Sequence, residues 1–408
     1  MTKKPWLTII GIGADGLTSL TPAARRHVDV AEIIITAKRT AAFFTDSKAE
    51  VHTWPVPFDA MFEQFQQWKG KKIVILATGD PLWHGVGSII ARRLDPSEFE
   101  VIPAPSAFSL AAGRLGWPLS SVQTLTLHGR SRPSSLIIPF IQPDVRLMAL
   151  TSGSKTVHEV ARHLVDKGYG KSTIHVLEDM DEPTEQIISF MARDIPDTAF
   201  SDFNTLGIDY VASPEAPCLP RSPGLPDDAY KHDGQLTKRD VRAITLAALS
   251  PTPGKLLWDV GAGCGSVAIE WMRTHLSNQS LAFESHAGRI ELINHNAQNL
   301  GTPYLKIIKG KAPQSLEDQP APDAIFIGGG ITTPKMFKTC WRALKSGGRL
   351  VANCVTLKGK QKLIHLQQKH GGDLVEISIA HLAQLGNKPD PQKALRPALA
   401  VLQWRITK

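Results

Sequence analysis

The sequence predicts an α/β protein of two domains, and three observations carry that prediction. Apolar runs of strand length alternate with longer helical stretches along the chain, proline recurs at every third position near the middle, and the net charge changes sign at nearly the same place. Strands that alternate with helices lie in mainly parallel sheets, and ligands of such sheets sit beyond the carboxyl ends of the strands. At 408 residues the chain has room for two to three domains of ordinary size.

In the first half the strand candidates are WLTIIGIG (6–13), EIIITA (32–37), KIVILATGD (72–80), FEVIPA (99–104), VRLMALTSG (145–153) and STIHVLED (172–179). In the second they are KLLWDVGAG (255–263), SLAFES (280–285), YLKIIKG (304–310), AIFIGG (324–329), GRLVANCV (348–355) and PALAVLQW (397–404). Between the halves, Pro214, Pro217, Pro220, Pro223 and Pro226 fix φ and remove donors, which predicts an extended, semi-rigid connector over 206–229. The expected domains are therefore 1–205 and 230–408. Residues 1–233 hold 23 Lys+Arg against 27 Asp+Glu, a net of −4; residues 234–408 hold 23 against 11, a net of +12. A basic second half steers anions toward it, and both nucleic acid and a small polycarboxylate fit that field.

Hydrophobic residues make up 42% of the chain and charged residues 21%, an ordinary soluble composition. No apolar run approaches the roughly 20 residues that cross a bilayer, and no membrane partner is expected. The N-terminal MTKKPWLTIIGIG reads as a first strand rather than a signal peptide. The four cysteines, Cys218, Cys264, Cys340 and Cys354, have no C-x-x-C spacing, so neither a metal site nor a disulfide framework is expected. A reduced, cytoplasmic compartment is the corresponding expectation.

The most specific signal is KLLWDVGAGCGSVAIEWMR (255–273). A strand ends at Asp259, and Gly261, Gly263 and Gly265 let the backbone turn and approach a ligand before a helix starts at Ser266. The next strand ends at Glu284, where a carboxylate can accept both hydrogen bonds of a ribose diol. A pyrophosphate cradle would use G-x-G-x-x-G, and this run is G-x-G-x-G. After the fourth strand, Gly328, Gly329 and Gly330 carry no side chain to grip an exocyclic amino group. They leave room for a bulky flat substrate, which counts against an exocyclic-nitrogen acceptor and is permissive for a carbon acceptor.

The 255–273 run resembles the class I methyltransferase fingerprint, whose ligand is S-adenosyl-L-methionine. The resemblance implies that the loop Gly261, Ala262, Gly263, Cys264 and Gly265 contacts the methionine portion and that Glu284 holds the ribose. The flanking segments HDGQLTKRDVRAITLAAL (232–249) and IIKGKAPQSL (307–316) resemble the decarboxylating methyltransferase component of cobalamin biosynthesis. That likeness places Thr237 at the cofactor and Ala312 beside the adenine; as bare physics Thr237 is also a good helix N-cap.

In the first half GIGADG (11–16) is a literal G-x-G-x-x-G. The acidic residue that dinucleotide binding requires after the second strand is replaced by Lys38 and Arg39, which counts against NAD. Three segments, KIVILATGDPLWHGVG (72–87), IPAPSAFSLAAGRLGWP (102–118) and STIHVLEDMDEPTEQI (172–187), resemble in that order the tetrapyrrole methylase, or class III methyltransferase, family. The likeness assigns Gly79, Asp80, Pro81, Ser106 and Ala107 to a second cofactor site. Asp80 as a turn former and Ser106 as a plain N-cap are the alternative roles.

Together the resemblances cover nearly the whole chain. They imply a tetrapyrrole-methylase-like class III domain joined to a Rossmann-like class I domain, in a fused enzyme family of corrin synthesis. The implied activity is methylation of a precorrin at C5 and C15, with loss of the C12 acetate carboxyl as carbon dioxide. An assembly of identical chains is expected from the same likeness. Lys238 and Arg242, with Arg239 on the same helix, are the expected contacts for substrate carboxylates, and His232 beside Asp233 is a candidate to move a proton, or else a capping or surface residue. The alternative function is an RNA methyltransferase whose basic half binds phosphates; the missing D/N-P-P-Y motif speaks against it, and no nucleic-acid partner is expected.

Overall fold

The computed structural model describes residues 5–129, 132–385 and 392–408. The chain forms two compact units, Met1–Ser134 with Pro143–Ala216, and Ser135–Gln142 with Pro217–Lys408.

The first unit holds two five-stranded sheets. One consists of β1 (Leu7–Ile12), β2 (Ile33–Thr36), β3 (Glu50–Thr53), β4 (Ile73–Thr78) and β5 (Phe99–Ile102), all parallel, in the order β3-β2-β4-β1-β5. Alternate residues of its strands enter different cores: Leu7, Ile9, Ile33, Ile35, Ile73 and Ile75 pack with Met61 and Phe65, while Ile10, Ile12, Ile34, Val74 and Leu76 pack with Ala24 and Val28. Burial on both faces explains why these strands read as unbroken apolar runs. The register of β1 on β4, from Leu7↔Ile73 to Ile12↔Thr78, brings Gly11–Gly13 and Gly79–Pro81 to one carboxyl edge.

The second sheet is β6 (Val122–Thr126), β7 (Arg146–Leu150), β8 (Thr173–Glu178), β9 (Gln186–Met191) and β10 (Asn204–Asp209), ordered β6-β7-β10-β8-β9, in which only β6 and β7 run parallel. β10 corrects the expected connector over 206–229. Asn204–Asp209 pairs with both β7 and β8, so the linking segment begins after Asp209. Gly207 makes NTLGID look weak as a strand, but a Cβ there would come within 2.5 Å of Leu115 Cδ1 on the helix packed above.

The second unit is built on β11 (Leu256–Val260), β12 (Gln279–Glu284), β13 (Lys306–Lys309), β14 (Ala324–Ile327), β15 (Arg349–Cys354), β16 (Asp373–Ile377) and β19 (Val401–Thr407). The order is β13-β12-β11-β14-β15-β19-β16, with five parallel strands and β19 antiparallel to both neighbours. β17 (Ala380–Leu385) and β18 (Gln392–Pro397) form a separate antiparallel hairpin. The chain runs outward from β11 through β12 to β13 and returns to β14, so the strand order reverses between β11 and β14 and opens a crevice at their carboxyl ends.

Ser135–Gln142 belongs to this second unit, a correction to the expected 1–205 domain. Its sequence is apolar, and Leu136, Ile137, Ile138, Phe140 and Ile141 are buried. The Arg221 guanidinium lies 4.8 Å from the Phe140 ring centroid, and Pro139 fills the space where Gly301 would carry a Cβ.

Candidate active site

β11 ends in a turn that is tied to the end of β12. The N–H groups of Gly261 and Ala262 both donate to Phe283 O, at 3.0 and 3.1 Å. Gly263, with φ +61°, donates to Glu284 Oε2 at 3.0 Å. Glu284 Oε1 accepts from Ser285 N at 2.8 Å and His286 N at 2.9 Å. Three backbone donors therefore lock a buried carboxylate, and Oε2 keeps acceptor capacity for a further donor. A Cβ on Gly261 would meet Gly329 N at 3.2 Å, so the glycine turn and the glycine run after β14 lie against each other.

Beneath the turn, Asp259 is fully buried. Its Oδ2 accepts from Ala268 N at 3.0 Å, while Oδ1 has no hydrogen-bond partner among the described residues. Burial, and next the proximity of Glu284, push this carboxyl up to about 7. Asp259, Gly261, Gly263, Glu284, Gly328 and Gly329 face a cleft of 1160 Å³, large enough for a cofactor and part of a second ligand. The side-chain space above Gly329 is open.

The structure sorts the expected contacts in this unit. Ala262 lines the cleft; Cys264 packs into the core, where burial pushes its thiol up, and offers the turn only its backbone. Thr237 lines the cleft but is not the N-cap: helix Arg239–Leu249 is capped at Lys238 without a side-chain bond. Ala312 packs on a core cluster and does not line the cleft; Gly310, two residues before it, donates to Glu284 O at 3.0 Å. Arg242 is a correction. It is fully buried, bonded to Glu270 at 2.6 Å and Asp227 at 3.1 Å, and it also donates to the carbonyls of Leu225 and Thr237. It pins the connector to helix Ser266–Thr274 and cannot reach a ligand. His232 is exposed, lies outside the cleft lining, and accepts from Gly234 N at 3.0 Å, which corrects its proton-moving role to a turn-closing one. Lys238 lines the cleft 3.6 Å from Asp227, and Arg239 donates to Gly224 O at 2.9 Å.

Two features escaped the sequence. Arg289 lines the cleft and bonds Asp233 at 2.8 Å, holding that carboxyl below its ordinary range. Asn353, at the end of β15, lines the cleft and rests on Thr245 and Gln403, two fully buried polar side chains. Five carboxylates (Asp227, Asp228, Asp240, Asp259 and Glu284) line the cleft against Lys238, Arg239, Arg289 and His381, so the net charge of +12 is not gathered here. That acidic lining is poor ground for nucleic-acid phosphates.

In the first unit the carboxyl edge of β1 and β4 is closely packed. A Cβ on Gly11 would collide with Gly79 O and Ala104, and Gly79 takes φ +69°. The literal G-x-G-x-x-G is used for packing: Gly13 N donates to Ser19 Oγ at 2.9 Å and Gly16 lies under the Phe43 ring. Asp80 Oδ1 accepts from Leu82 N at 2.8 Å, the turn-forming role. Pro81 is buried, with Gly85 and Gly87 against its carbonyl. Ser106 caps helix Ala107–Leu115, accepting from Ser109 N at 3.1 Å, and Gly79 lies 3.5 Å from Ser106 Cα and 3.7 Å from Ala107 N by its Cβ position. The five expected residues thus share one edge, with Leu82 and Trp83 exposed beside them.

Among the described residues no helix is long and apolar enough to cross a membrane, and no His, Cys, Asp and Glu group has a metal-binding arrangement. Residues 6–196 match the model of the tetrapyrrole (corrin/porphyrin) methylases, and residues 228–408 match that of the precorrin methyltransferase domain. A precorrin-6Y C(5,15)-methyltransferase [decarboxylating] from Sinorhizobium sp. is 38% identical over 99% of this chain and 97% of its own length. One of the same description from Mycobacterium tuberculosis is 33% identical over 98% of this chain and 100% of its own. The crystal structure of the C-terminal domain of a precorrin-6Y C5,15-methyltransferase from Rhodobacter capsulatus is 41% identical, covering 47% of this chain and 100% of that one, at a TM-score of 0.42.

Proposed function

This chain belongs to the family of decarboxylating precorrin-6Y C(5,15)-methyltransferases of cobalamin biosynthesis, S-adenosylmethionine-dependent enzymes, and from that premise we propose how its two units divide the work. The second unit methylates C15 and removes the carboxyl of the C12 acetate; the first methylates C5. The observation that carries the reading is the pair of carboxylates at the crevice of β11 and β14: Glu284 fixed by three backbone donors, and Asp259 with an oxygen that has no partner among the described residues.

That donor set fits S-adenosylmethionine. Glu284 Oε2 retains capacity for a ribose hydroxyl, and the orphaned Asp259 Oδ1 suits a cation or a donor. Gly261, Ala262, Gly263 and Gly265 supply a backbone surface without bulk, with Cys264 contributing main chain only. When bound, the cofactor supplies an electrophilic methyl group on a sulfonium. The remaining task for the protein is positioning: an electron-rich tetrapyrrole carbon attacks in line without a strong base, and Gly328–Gly330 leave the space for a flat macrocycle to approach. In the first unit, Gly79, Asp80, Pro81, Ser106 and Ala107 border the corresponding cofactor site. Lys238 and Arg239 line the cleft with partners of their own, Asp227 and Gly224 O, and a substrate carboxylate would have to share them.

Incubation with precorrin-6B and methyl-labelled S-adenosylmethionine, followed by mass spectrometry, tests the division. The intact chain adds two methyls and loses one carbon dioxide. Glu284→Ala stops one methylation together with the carbon dioxide loss and leaves the other methylation; Gly79→Val, which forces a branched residue into φ +69°, does the reverse. Glu284→Ala protein that still adds both methyls refutes the assignment.

A further inference from the structure

The trio beneath the cleft has a hydrogen-bond direction that can be worked out from donor counts alone. Asn353 on β15 and Gln403 on β19 are directly opposite each other across the antiparallel pair, and both meet Thr245 from helix Arg239–Leu249. Arg405 Nε–H donates to the Gln403 amide oxygen at 2.7 Å. A guanidinium cannot accept, so the oxygen of Gln403 must face it and the NH₂ must face inward. Both Gln403 N–H groups are then used, on Asn353 Oδ1 at 2.9 Å and Thr245 Oγ1 at 3.1 Å. Because Asn353 Oδ1 faces a donor, Asn353 Nδ2 faces Thr245 Oγ1, to which it donates at 2.9 Å. Thr245 completes the set by donating to Val241 O at 2.7 Å. The arrangement fixes the amide flip of Asn353 and leaves one of its N–H bonds without a partner among the described residues, on a residue that lines the cleft.

A buried polar trio is costly to maintain unless it does something that apolar residues would not. Val241 and Val401 line the same cleft, and its basic residues already have partners: Lys238 with Asp227, Arg239 with Gly224 O, Arg289 with Asp233, and His381 with Asp240 at 3.8 Å. The cleft residues Asn353 of β15 and Val401 of β19 therefore offer one fixed neutral donor beside an apolar group and no cation of their own. A carboxylate held there is oriented but not charge-neutralised, which is the environment that favours its departure as carbon dioxide.

We propose that Asn353 Nδ2–H receives the substrate carboxylate that is lost, and that Gln403, Thr245 and Arg405 act as positioning residues that hold its direction. The step balances within the substrate. The bond from the acetate methylene to the carboxyl carbon breaks, carbon dioxide leaves, and the electron pair passes into the conjugated iminium created by ring methylation. A proton from solvent then completes the new methyl group. This rests on the assignment of decarboxylation to the second unit.

The test uses the full chain with precorrin-6B and labelled S-adenosylmethionine, reading by mass spectrometry the ratio of carbon dioxide loss to methylation. Calorimetry with S-adenosylhomocysteine serves as a readout of the cofactor site. Asn353→Ala is expected to leave cofactor affinity within about twofold and to lower the ratio at least about tenfold, as expected when a reacting group loses its orientation, so that product accumulates with both methyls and the carboxyl retained. Gln403→Glu, outside the cleft, removes the donors that fix Asn353 and is expected to lower the same ratio to a smaller extent; it decides the matter if Asn353→Ala does not fold. Unchanged ratios in both variants overturn the proposal. A wild-type chain that never releases carbon dioxide overturns instead the assignment on which it rests.

Discussion

Replacing Asp259 by Asn tests the electrostatics of the cofactor turn in the absence of any ligand. The carboxyl is fully buried, one oxygen accepts from Ala268 N and the other has no partner among the described residues, and burial raises its pKa from 3.8 to about 7. An acid whose folded pKa is raised favours folding most below its unfolded pKa. That contribution disappears as pH rises through the folded value. Wild-type stability should therefore fall relative to Asp259→Asn by about 1.4 kcal/mol per pH unit across the window from about 4 to about 7. Between pH 5 and pH 7 the gap should change by about 2 kcal/mol, the slope easing as pH nears the folded value. The amide variant leaves an unpaired donor in place of the orphan oxygen, a cost of about 1–3 kcal/mol, but that offset is independent of pH and cancels from the slope. Hydrogen-exchange mass spectrometry under urea, read on peptides covering β11, isolates the unfolding of the second unit from that of the first. Parallel wild-type and variant profiles across this pH range would falsify the assignment of a buried, uncompensated carboxyl at this point.

Arg242→Leu should cost the second unit about 3–5 kcal/mol, because it leaves Glu270 buried without its cation, and adding Glu270→Gln should recover part of that loss; urea midpoints check both. Lys238→Ala, at an exposed pair 3.6 Å apart, should change stability by less than about 1 kcal/mol in the same titration. Gly263→Ala forces φ +61° on a residue with a Cβ and brings that atom to 3.2 Å from Gln235 O; a loss of about 1–2 kcal/mol and weaker binding of S-adenosylhomocysteine by calorimetry are expected. Phe140→Ala should cost about 3–5 kcal/mol, read by urea hydrogen exchange on peptides of β11 and not of β1, although residue 140 lies in the first half of the sequence.

The legible parts of the fold were those with a local signal. Strands buried on both faces, such as β1, β2, β4 and β11, announced themselves as apolar runs, and the glycine spacing after Asp259 located the cofactor turn together with Glu284. β3 (EVHT) is largely polar, and β9 (QIISFM), though mostly apolar, is short and buried on neither face, so neither stood out as a strand. β10 was hidden by Gly207 and by the prolines that follow it. Arg242 was misread for a different reason. A cation near a ligand turn looks the same in sequence whether it points to a ligand or to Glu270, and the partner lies 28 residues away. The Thr245–Asn353–Gln403 trio is assembled from a helix and two strands far apart in the chain, so only the fold could bring it into view.

The charge distribution follows the same logic. The excess of cations in the second half is carried by exposed lysines outside the cleft, including Lys306, Lys309, Lys311, Lys335 and Lys338, while the cleft itself is lined by carboxylates and by cations with partners of their own. Surface charge acts at long range and raises the rate at which a polyanionic macrocycle arrives, and salt within a Debye length of about 8 Å weakens it. A buried cation would instead hold a carboxylate tightly and stabilise the very group that has to leave. Attraction at a distance and neutrality at the floor are thus compatible requirements for one reaction. They separate experimentally: raising ionic strength should slow capture of the tetrapyrrole, seen as a lower kcat/KM, while the ratio of carbon dioxide loss to methylation stays constant. A ratio that falls with added salt would mean that surface lysines, and not the amide of Asn353, hold the carboxylate that departs.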